Sequence, residues 1–383
     1  MVKPESMVQR IFQRLASHGE VALSALAREV GLRPPTLAGK LRPLGRRELV
    51  VYSKDRKRVG INPAYGYVVG VDLGGSHLHY ALADFRGEIF KDTTVKVRPE
   101  DGPHKMIQQM KEQIRFLAKE AGRRKLLALA VGVPSPVDTE QGVVAWANNL
   151  PGWTNIRLGR ELEKAFRVPI FMENDANMAA IGEHWRGVAR GVKNFVFVAL
   201  GTGIGSGVFV DGKLLHGRTG SAGEVFRMNL EWNRWDEEFP DTGYFENYVA
   251  GLGIAAAGRK VLGAPTTEDA GLREERDAYF VFQEHREGNP QATAVLERVF
   301  TILGVGISNV VAVLDPELIV FGGGIAKGAP DLMLATVEKV VRRIQKEITP
   351  PFKLSSLGDK AQTYGAIASA LTVAAERISA RIR

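Results

Sequence analysis

Apolar positions along this chain recur first with a helical period and then with the pattern of buried strands. Over residues 7–17 Ile11, Phe12 and Leu15 share one helical face, and over 22–30 Leu23, Leu26, Ala27 and Val30 do the same. Gly31 stands where a tight helix–helix turn needs positive φ. A third helix is predicted from Pro34, a residue tolerated in a first turn, with Leu37, Leu41 and Leu44 inward. This arrangement makes a helix-turn-helix. Leu49–Tyr52 and Val59–Ile61 read as two strands around the basic tip Lys54, Arg56, Lys57, Arg58, which is a wing.

From Tyr67 the pattern changes. Tyr67–Leu73, Leu78–Asp84 and Ile89–Val97 are predicted as consecutive strands, and 103–122 as a helix with Met106, Met110, Ile114 and Leu117 on one face. Leu127–Val133 and Pro169–Glu173 read as strands on either side of a helix over Arg157–Phe166. A second cycle begins at Phe195, where two strands flank a glycine-rich turn. Strand-then-helix order given twice predicts an α/β chain with two lobes facing a cleft. The expected domains are a winged helix over 1–64, a first lobe over 65–185 and a second lobe over 186–360 that carries a dimer interface. A terminal helix over about 361–383 is expected to return to the first lobe.

Charge changes this picture in one place. The 383 residues carry 51 Lys and Arg against 43 Asp and Glu, and the first 64 hold 13 against 5. All the excess positive charge therefore lies in the helix-turn-helix region, the footprint of a nucleic-acid-binding module on a neutral body. A solubilising basic tail, or a helical bundle that binds protein, is the alternative. The third helix would enter the major groove, with Arg33, Thr36, Lys40 and Arg42 facing bases or phosphates, while Lys54, Arg56, Lys57 and Arg58 hold phosphates. Gly39 and Pro43 are poor interior helix residues, so a last turn or a kink is expected at Pro43. The absence of Cys excludes disulfides and thiolate metal sites. No uninterrupted apolar run approaches the roughly eighteen residues of a membrane span, and the first residues lack a signal-peptide core. The expectation is a cytoplasmic protein without a membrane partner.

Three glycine clusters end apolar runs. Asp72, followed by Gly74, Gly75 and Ser76, could hold a metal–water shell beside a phosphate, because a glycine N–H approaches phosphate oxygens closely. Gly201, Thr202 and Gly203, with Gly205, read as a hairpin turn with exposed N–H groups, a second phosphate cradle. The run does not fit the Rossmann fingerprint, and no Walker A motif is present. Gly323 and Gly324 follow the strand 317–321 and could lie against a purine or ribose. Each cluster alone reads first as a plain structural turn; three at strand ends are harder to dismiss together.

DLGGS at 72–76, VPSPVD at 133–138, NLPGW at 149–153, ENDANMAAIGE at 173–183, GTGIGSG at 201–207, GSAGE at 220–224 and LDPELIVFGGG at 314–324 together resemble the ROK family of bacterial sugar kinases and sugar-responsive repressors. The resemblance runs from about Val8 to about Ala374. It implies a winged helix-turn-helix followed by a two-lobed actin-like ATPase (ribonuclease H-like) fold, and the basic N-terminal module looks like the repressor branch. It also implies that Asp175 matches a general base, able to take the proton of a sugar hydroxyl that attacks a γ-phosphate. Asn174, Glu224 and Glu246 match sugar-hydroxyl contacts, and Asp72 matches a residue near magnesium and the phosphates. Asn174-Asp175 would serve equally as a helix cap, and the two roles can coexist.

The sequence departs from the family pattern in one respect. Relatives carry a His and a Cys-rich loop that bind a structural zinc beside the sugar. Here Arg227 stands at the His position and 228–245 contains no Cys, so no structural zinc is expected. The loop should then be held by packing of Trp232, Trp235, Phe239 and Tyr244. Arg227 is a permanent cation that cannot accept a hydrogen bond. It either faces an anionic sugar in the cleft or pairs with an acid of 228–246. His77 and His79 read as a surface pair on a strand.

Three functions compete. The chain is read as a sugar-responsive DNA-binding regulator, a repressor by its resemblance, acting on operator DNA as a homodimer or higher oligomer. The alternative is an ATP-dependent sugar kinase using ATP and Mg, against which stand the lost zinc site, Arg227 and Ser135 where many relatives have Gly. A scaffold without ligand ranks last, because a polar cluster in a cleft costs stability unless something is bound or hydrated there.

Overall fold

The computed structural model describes residues 7–75, 77–147, 150–237, 243–263 and 270–382. It divides into two compact units, Met1–Asp175 with Thr363–Arg383, and Ala176–Gln362.

The first unit opens with the winged helix: α1 (Met7–His18), β1 (Val21–Ala22), α2 (Leu23–Glu29), α3 (Pro34–Arg46), β2 (Val50–Tyr52) and β3 (Arg58–Ile61). Ile11, Phe12, Leu15, Leu26, Leu37, Leu41 and Leu44 are all buried, as their spacing requires. Gly31 takes φ +68° at the turn into α3. Pro43 lies in the last turn of α3 with its ring exposed, so the helix continues to Arg46. The wing has three strands in the order β1-β3-β2. A two-residue strand has too few positions to show a period, so the sequence did not reveal β1.

The first lobe continues with β4 (Gly66–Leu73), β5 (His77–Asp84), β6 (Ile89–Lys96), α4 (Gly102–Ala118) and β7 (Lys125–Val133). The short strands β8 (Val137–Asp138), β9 (Val143–Trp146) and β10 (Thr154–Ile156) follow, then α5 (Leu158–Phe166) and β11 (Ile170–Asn174). The main sheet runs β11-β7-β4-β5-β6, parallel across β11, β7 and β4 and antiparallel beyond. β4 is buried along nearly all its length, and it is apolar almost throughout because both faces are covered. Val69, Val71 and Leu73 face the core shared with Met106, Met110, Ile114 and Leu117 of α4.

The second unit contains α6 (Asp175–Arg186, from Ala176), β12 (Phe195–Leu200), β13 (Ile204–Val210), β14 (Lys213–Leu214), α7 (Glu246–Val249), α8 (Gly251–Leu262), α9 (Ala270–Arg286) and α10 (Pro290–Leu314). β15 (Leu318–Gly322), α11 (Gly324–Gly328), α12 (Pro330–Gln345) and β16 (Phe352–Leu354) complete it, in a sheet ordered β14-β13-β12-β15-β16. By length and hydropathy α10 could cross a membrane, but over half of its apolar window is buried in this unit. Val295, Val299, Leu303, Ile307 and Val311 fill the core, and the Ser308 hydroxyl donates to the Gly304 carbonyl at 2.9 Å. The other face of α10 is polar and exposed, with Gln291, Glu297, Arg298, Thr301 and Asn309.

The last helix, α13 (Ala361–Ala380), lies from Thr363 onward in the first unit. A Cβ on Gly70 of β4 would stand 2.9 Å from the Ala366 Cβ, so glycine allows α13 to pack directly on the strand. The Thr363 hydroxyl lies 2.8 Å from His79 Nδ1 of β5. His79 is thus half of no surface pair; only His77 is exposed. At its other end α13 holds the winged helix. Gln9 donates to the Ser379 carbonyl at 3.1 Å, and Arg47, just past α3, donates to the Arg381 carbonyl at 2.9 Å. Phe85, after β5, is buried with its ring 6.1 Å from Phe12 and 5.7 Å from Tyr65, and Arg86 Nε donates to the Ile61 carbonyl at 3.0 Å.

Phe85 is therefore the plug between winged helix and lobe. Phe85→Ala should cost about 3 kcal/mol or more by chemical denaturation. It should also speed protease cleavage in the connecting segment 62–66, with cleavage elsewhere unchanged.

Candidate functional site

The parallel register of the first sheet sets the first group of polar residues. Asp72 on β4 and Glu173 on β11 both stand level with Gly132 of β7, so the carboxyl ends of three parallel strands finish at one edge. Ligands of open α/β sheets bind at such edges. Asn174 ends β11 and Asp175 begins α6. The Asn174 side-chain amide donates to the Ser135 carbonyl at 3.5 Å, and its backbone N–H donates to the Glu173 carboxylate at 2.8 Å. Ser135 is buried, its hydroxyl donating to the Trp146 carbonyl. Glu173 went unassigned in the sequence, where it was one more residue of a matched motif.

Asp72 has the most perturbed environment of this group. Burial pushes its carboxyl up to about 7, and the nearby Asp175 carboxylate adds to the shift. Two carboxylates brought together and one of them buried form a place that favours a cation or a shared proton. Gly74 makes the turn after β4: its N–H donates to the His77 carbonyl at 2.9 Å, and a Cβ there would press on the same oxygen. Gly75 follows it and is partly exposed. Ser76 lies outside the described residues.

In the second unit β12 and β13 pair from Phe195↔Phe209 to Leu200↔Ile204, which leaves Gly201, Thr202 and Gly203 as the hairpin turn. Gly205, expected in this turn, lies in β13 instead. It and Gly207 are glycines because α6 packs on the strand: a Cβ would stand 3.0 Å from the Ala176 Cβ and 2.5 Å from the Ala180 Cβ, respectively. β15 runs parallel beside β12, with Ala199 level with Gly322, so Gly323 arrives next to the hairpin. Gly323 takes φ +93°, and a Cβ on it would lie 2.1 Å from the Leu200 carbonyl. The Cβ directions of Gly201 and Gly324 open onto empty space. Two of the three glycine clusters thus meet at one sheet edge, in a form that leaves room for a phosphate or a flat ring.

Glu224 and Glu246 belong to this unit as well. The Ser206 hydroxyl of β13 donates to the Gly223 carbonyl at 2.7 Å and sets Glu224 beside the strand. Glu246 begins α7, and its carboxylate accepts the Ile204 N–H at 2.9 Å, tying α7 to the glycine turn. Burial raises its pKa, partly opposed by that hydrogen bond. Arg227 is exposed, its guanidinium 4.9 Å over the Phe226 ring. The acids Glu231 and Glu237 of the following loop pair with Arg234, a residue whose role the sequence does not signal. Trp232 and Trp235 do not pack the loop; they are 88% and 77% exposed. Phe239 lies outside the described residues. The chain has no Cys, and among the described residues no group of three or more His, Asp or Glu could hold a metal ion.

On the winged helix Arg33, just before α3, Thr36, Lys40 and Arg42 of α3, and Lys54, Arg56, Lys57 and Arg58 at the wing are all exposed. Arg58 is engaged with Glu20 at 3.1 Å, which leaves Lys54, Arg56 and Lys57 as the freer cations of the wing. Asp55 shapes the tip, accepting from the Ser53 hydroxyl at 2.6 Å and the Lys57 N–H at 3.0 Å, and these bonds lower its pKa.

A family model described as ROK family matches residues 68–373. A xylose repressor of Bacillus subtilis (strain 168) is 24% identical over 95% of this chain and 96% of its own length. A glucokinase of Thermotoga maritima is 31% identical over 78% of this chain and 95% of its own length. A crystal structure described as a ROK family transcriptional regulator, homolog of the E. coli MLC protein, superimposes with a TM-score of 0.79 at 22% identity over 97% of both chains.

Asp72 implies a pH signature. Its carboxyl is protonated up to about pH 7 in the folded chain and only to about 3.8 in a free one. The folded state therefore holds the extra proton, and stability fully present below about pH 4 is lost as pH rises through 7. Asp72→Asn should remove this fall, so its melting temperature relative to wild type should rise from about pH 4 to about pH 8 in metal-free buffer.

Proposed function

The chain belongs to the ROK family, and on that premise we propose that it is a sugar-responsive, DNA-binding transcriptional regulator, a repressor, working in the cytoplasm as a dimer on operator DNA. The observation that carries this reading is the basic winged helix over 1–64, fastened to the first lobe through Phe85 and α13. A kinase needs no such module. The similarity to the xylose repressor continues through it, whereas the glucokinase match covers only 78% of this chain.

In this reading α3 enters the major groove and Lys54, Arg56 and Lys57 hold phosphates across the adjacent backbone. Asn174, Asp175, Glu224 and Glu246 bind hydroxyls of a monosaccharide, because carboxylates and amides offer several fixed acceptors to a polyol. Arg227 adds a cation, which favours a sugar acid or sugar phosphate. The signal has a physical route within the first unit. β4 carries Asp72 at its end and Gly70 against α13, and α13 ends on α1 and on the residue after α3. Sugar changes DNA affinity to the extent that it favours one setting of this helix over another.

The second reading, an ATP-dependent sugar kinase, is favoured by the Asp72–Asp175 pair and the open glycine edge around Gly201 and Gly324. MgATP, when bound, would supply a transferable phosphoryl group. Of this chain's own residues, Asp175 would accept the proton of the sugar hydroxyl, Asp72 would sit beside the magnesium shell, and Gly201–Gly203 and Gly323–Gly324 would offer backbone N–H groups to phosphates.

One experiment separates the two. ADP release with ATP and magnesium is measured across glucose, xylose, a uronic acid and a sugar phosphate, beside sugar-dependent DNA binding by anisotropy. The regulator reading expects sugar-dependent DNA affinity without turnover. Turnover lost in Asp175→Asn, with sugar-independent DNA binding, would make the protein a kinase first. Calorimetry should also give tighter binding of the anionic sugars, and Arg227→Ala should erase that preference. On DNA, replacing Lys54, Arg56 and Lys57 together by Ala should lower the slope of log affinity against log salt by roughly 3.

A further inference from the structure

In the described part of the segment between Arg227 and Glu246 both tryptophans are exposed and do not pack, so another interaction holds the segment. Arg234 supplies it. Its Nε donates to one Glu237 carboxylate oxygen at 2.5 Å and an Nη donates to the other, a bidentate pair. Its second Nη donates to Glu231 at 3.4 Å and to the Tyr248 hydroxyl. The guanidinium carbon lies 5.8 Å from the centre of the Tyr248 ring. The Tyr244 hydroxyl donates to the Glu237 carbonyl, and the Asn229 side chain accepts the Glu231 N–H at 2.7 Å. The charges respond to one another: the bonds to Glu237 raise the Arg234 pKa, and those to Arg234 lower that of Glu237.

The network reaches the proposed sugar site in two steps. Tyr248 lies in the single turn α7 with Glu246, and Glu246 accepts the Ile204 N–H from the glycine turn. The geometry points to Arg234 as a positioning residue: one guanidinium ties residues 231–237 to the turn that carries Glu246, and so holds Glu246 against the Gly201–Gly203 hairpin. This assignment rests on Glu246 contacting sugar. A planar fork with five donors and a permanent charge suits the task. It reaches two carboxylates and a phenol at once, where a lysine ammonium offers a point charge with no plane. The network is partly solvent-exposed, so salt weakens it. Its bonds run between a guanidinium, two carboxylates and a phenol and need no metal, so a chelator should leave it intact.

The test uses the full-length protein and the variants Arg234→Gln, Arg234→Lys and Tyr248→Phe. Amide exchange is followed in 201–204 and 243–250, with the core helix α10 as internal control. Sugar affinity for the panel above is measured in low and high salt, with and without EDTA. Exchange in 201–204 and 243–250 should accelerate at least tenfold in Arg234→Gln and only slightly less in Arg234→Lys, with α10 and sugar-free DNA affinity unchanged. Sugar affinity should fall about tenfold in both, while KCl weakens binding in wild type more than in Arg234→Gln and EDTA has no effect. Tyr248→Phe should give part of the loss and add little to Arg234→Gln. Wild-type exchange in Arg234→Gln, or full rescue by Lys, overturns the assignment. Faster exchange in a protein whose wild type binds no sugar of the panel keeps the clamp and removes the sugar reading instead.

Discussion

Parallel pairing of β4, β7 and β11 is the constraint on which the first unit depends. Because the three strands run the same way and in matched register, their carboxyl ends finish together, and whatever follows each strand is delivered to one edge. Asp72, Ser135 and the Asn174-Asp175 pair come from segments far apart in sequence, yet each lies at the end of a strand or just past it. Packing of α4 on one face of the sheet and of α13 on the other buries β4, and burial is why its penultimate carboxylate keeps a proton that a free aspartate would lose.

The second unit repeats the arrangement with different means. There β12 and β15 run parallel and end in glycines, and side-chain-free backbone takes the place of carboxylates. Gly323 is needed because the Leu200 carbonyl occupies the space of its Cβ, a packing reason independent of any ligand. Gly205 and Gly207 are present for packing on α6 alone. A glycine-rich run can thus mix positions that serve a ligand with positions that serve a neighbouring helix.

Between the first sheet and the winged helix stands α13. It is held at its start by His79, along its length by contact with the glycine of β4, and at its end by Gln9 and Arg47 of the winged helix. One helix bonded to both the sheet and the winged helix fastens the two together. The loop carrying Arg234 plays the complementary part in the second unit, where a polar network of one arginine, two glutamates and a tyrosine fixes a turn that apolar packing leaves uncovered.

The sequence by itself determined the three helices of the winged helix, the main strands of the first lobe and the α/β character, because burial imposes a period that short-range spacing records. Ile11, Phe12 and Leu15, or Met106, Met110 and Ile114, announce their faces wherever they are read. It also singled out Asp72, Asn174, Asp175, Glu224 and Glu246 as candidates, since each sits in a local run with recognisable chemistry. What it left undetermined are relations between distant segments. That Glu246 is bonded to Ile204, that His79 holds Thr363, and that Arg58 is spent on Glu20 depend on chain reversals that no window of residues contains. The expected aromatic packing of the loop failed for the same reason: Trp232 and Trp235 look like core residues in a sequence, but no described element returns to cover them, and the tertiary structure assigns their task to Arg234.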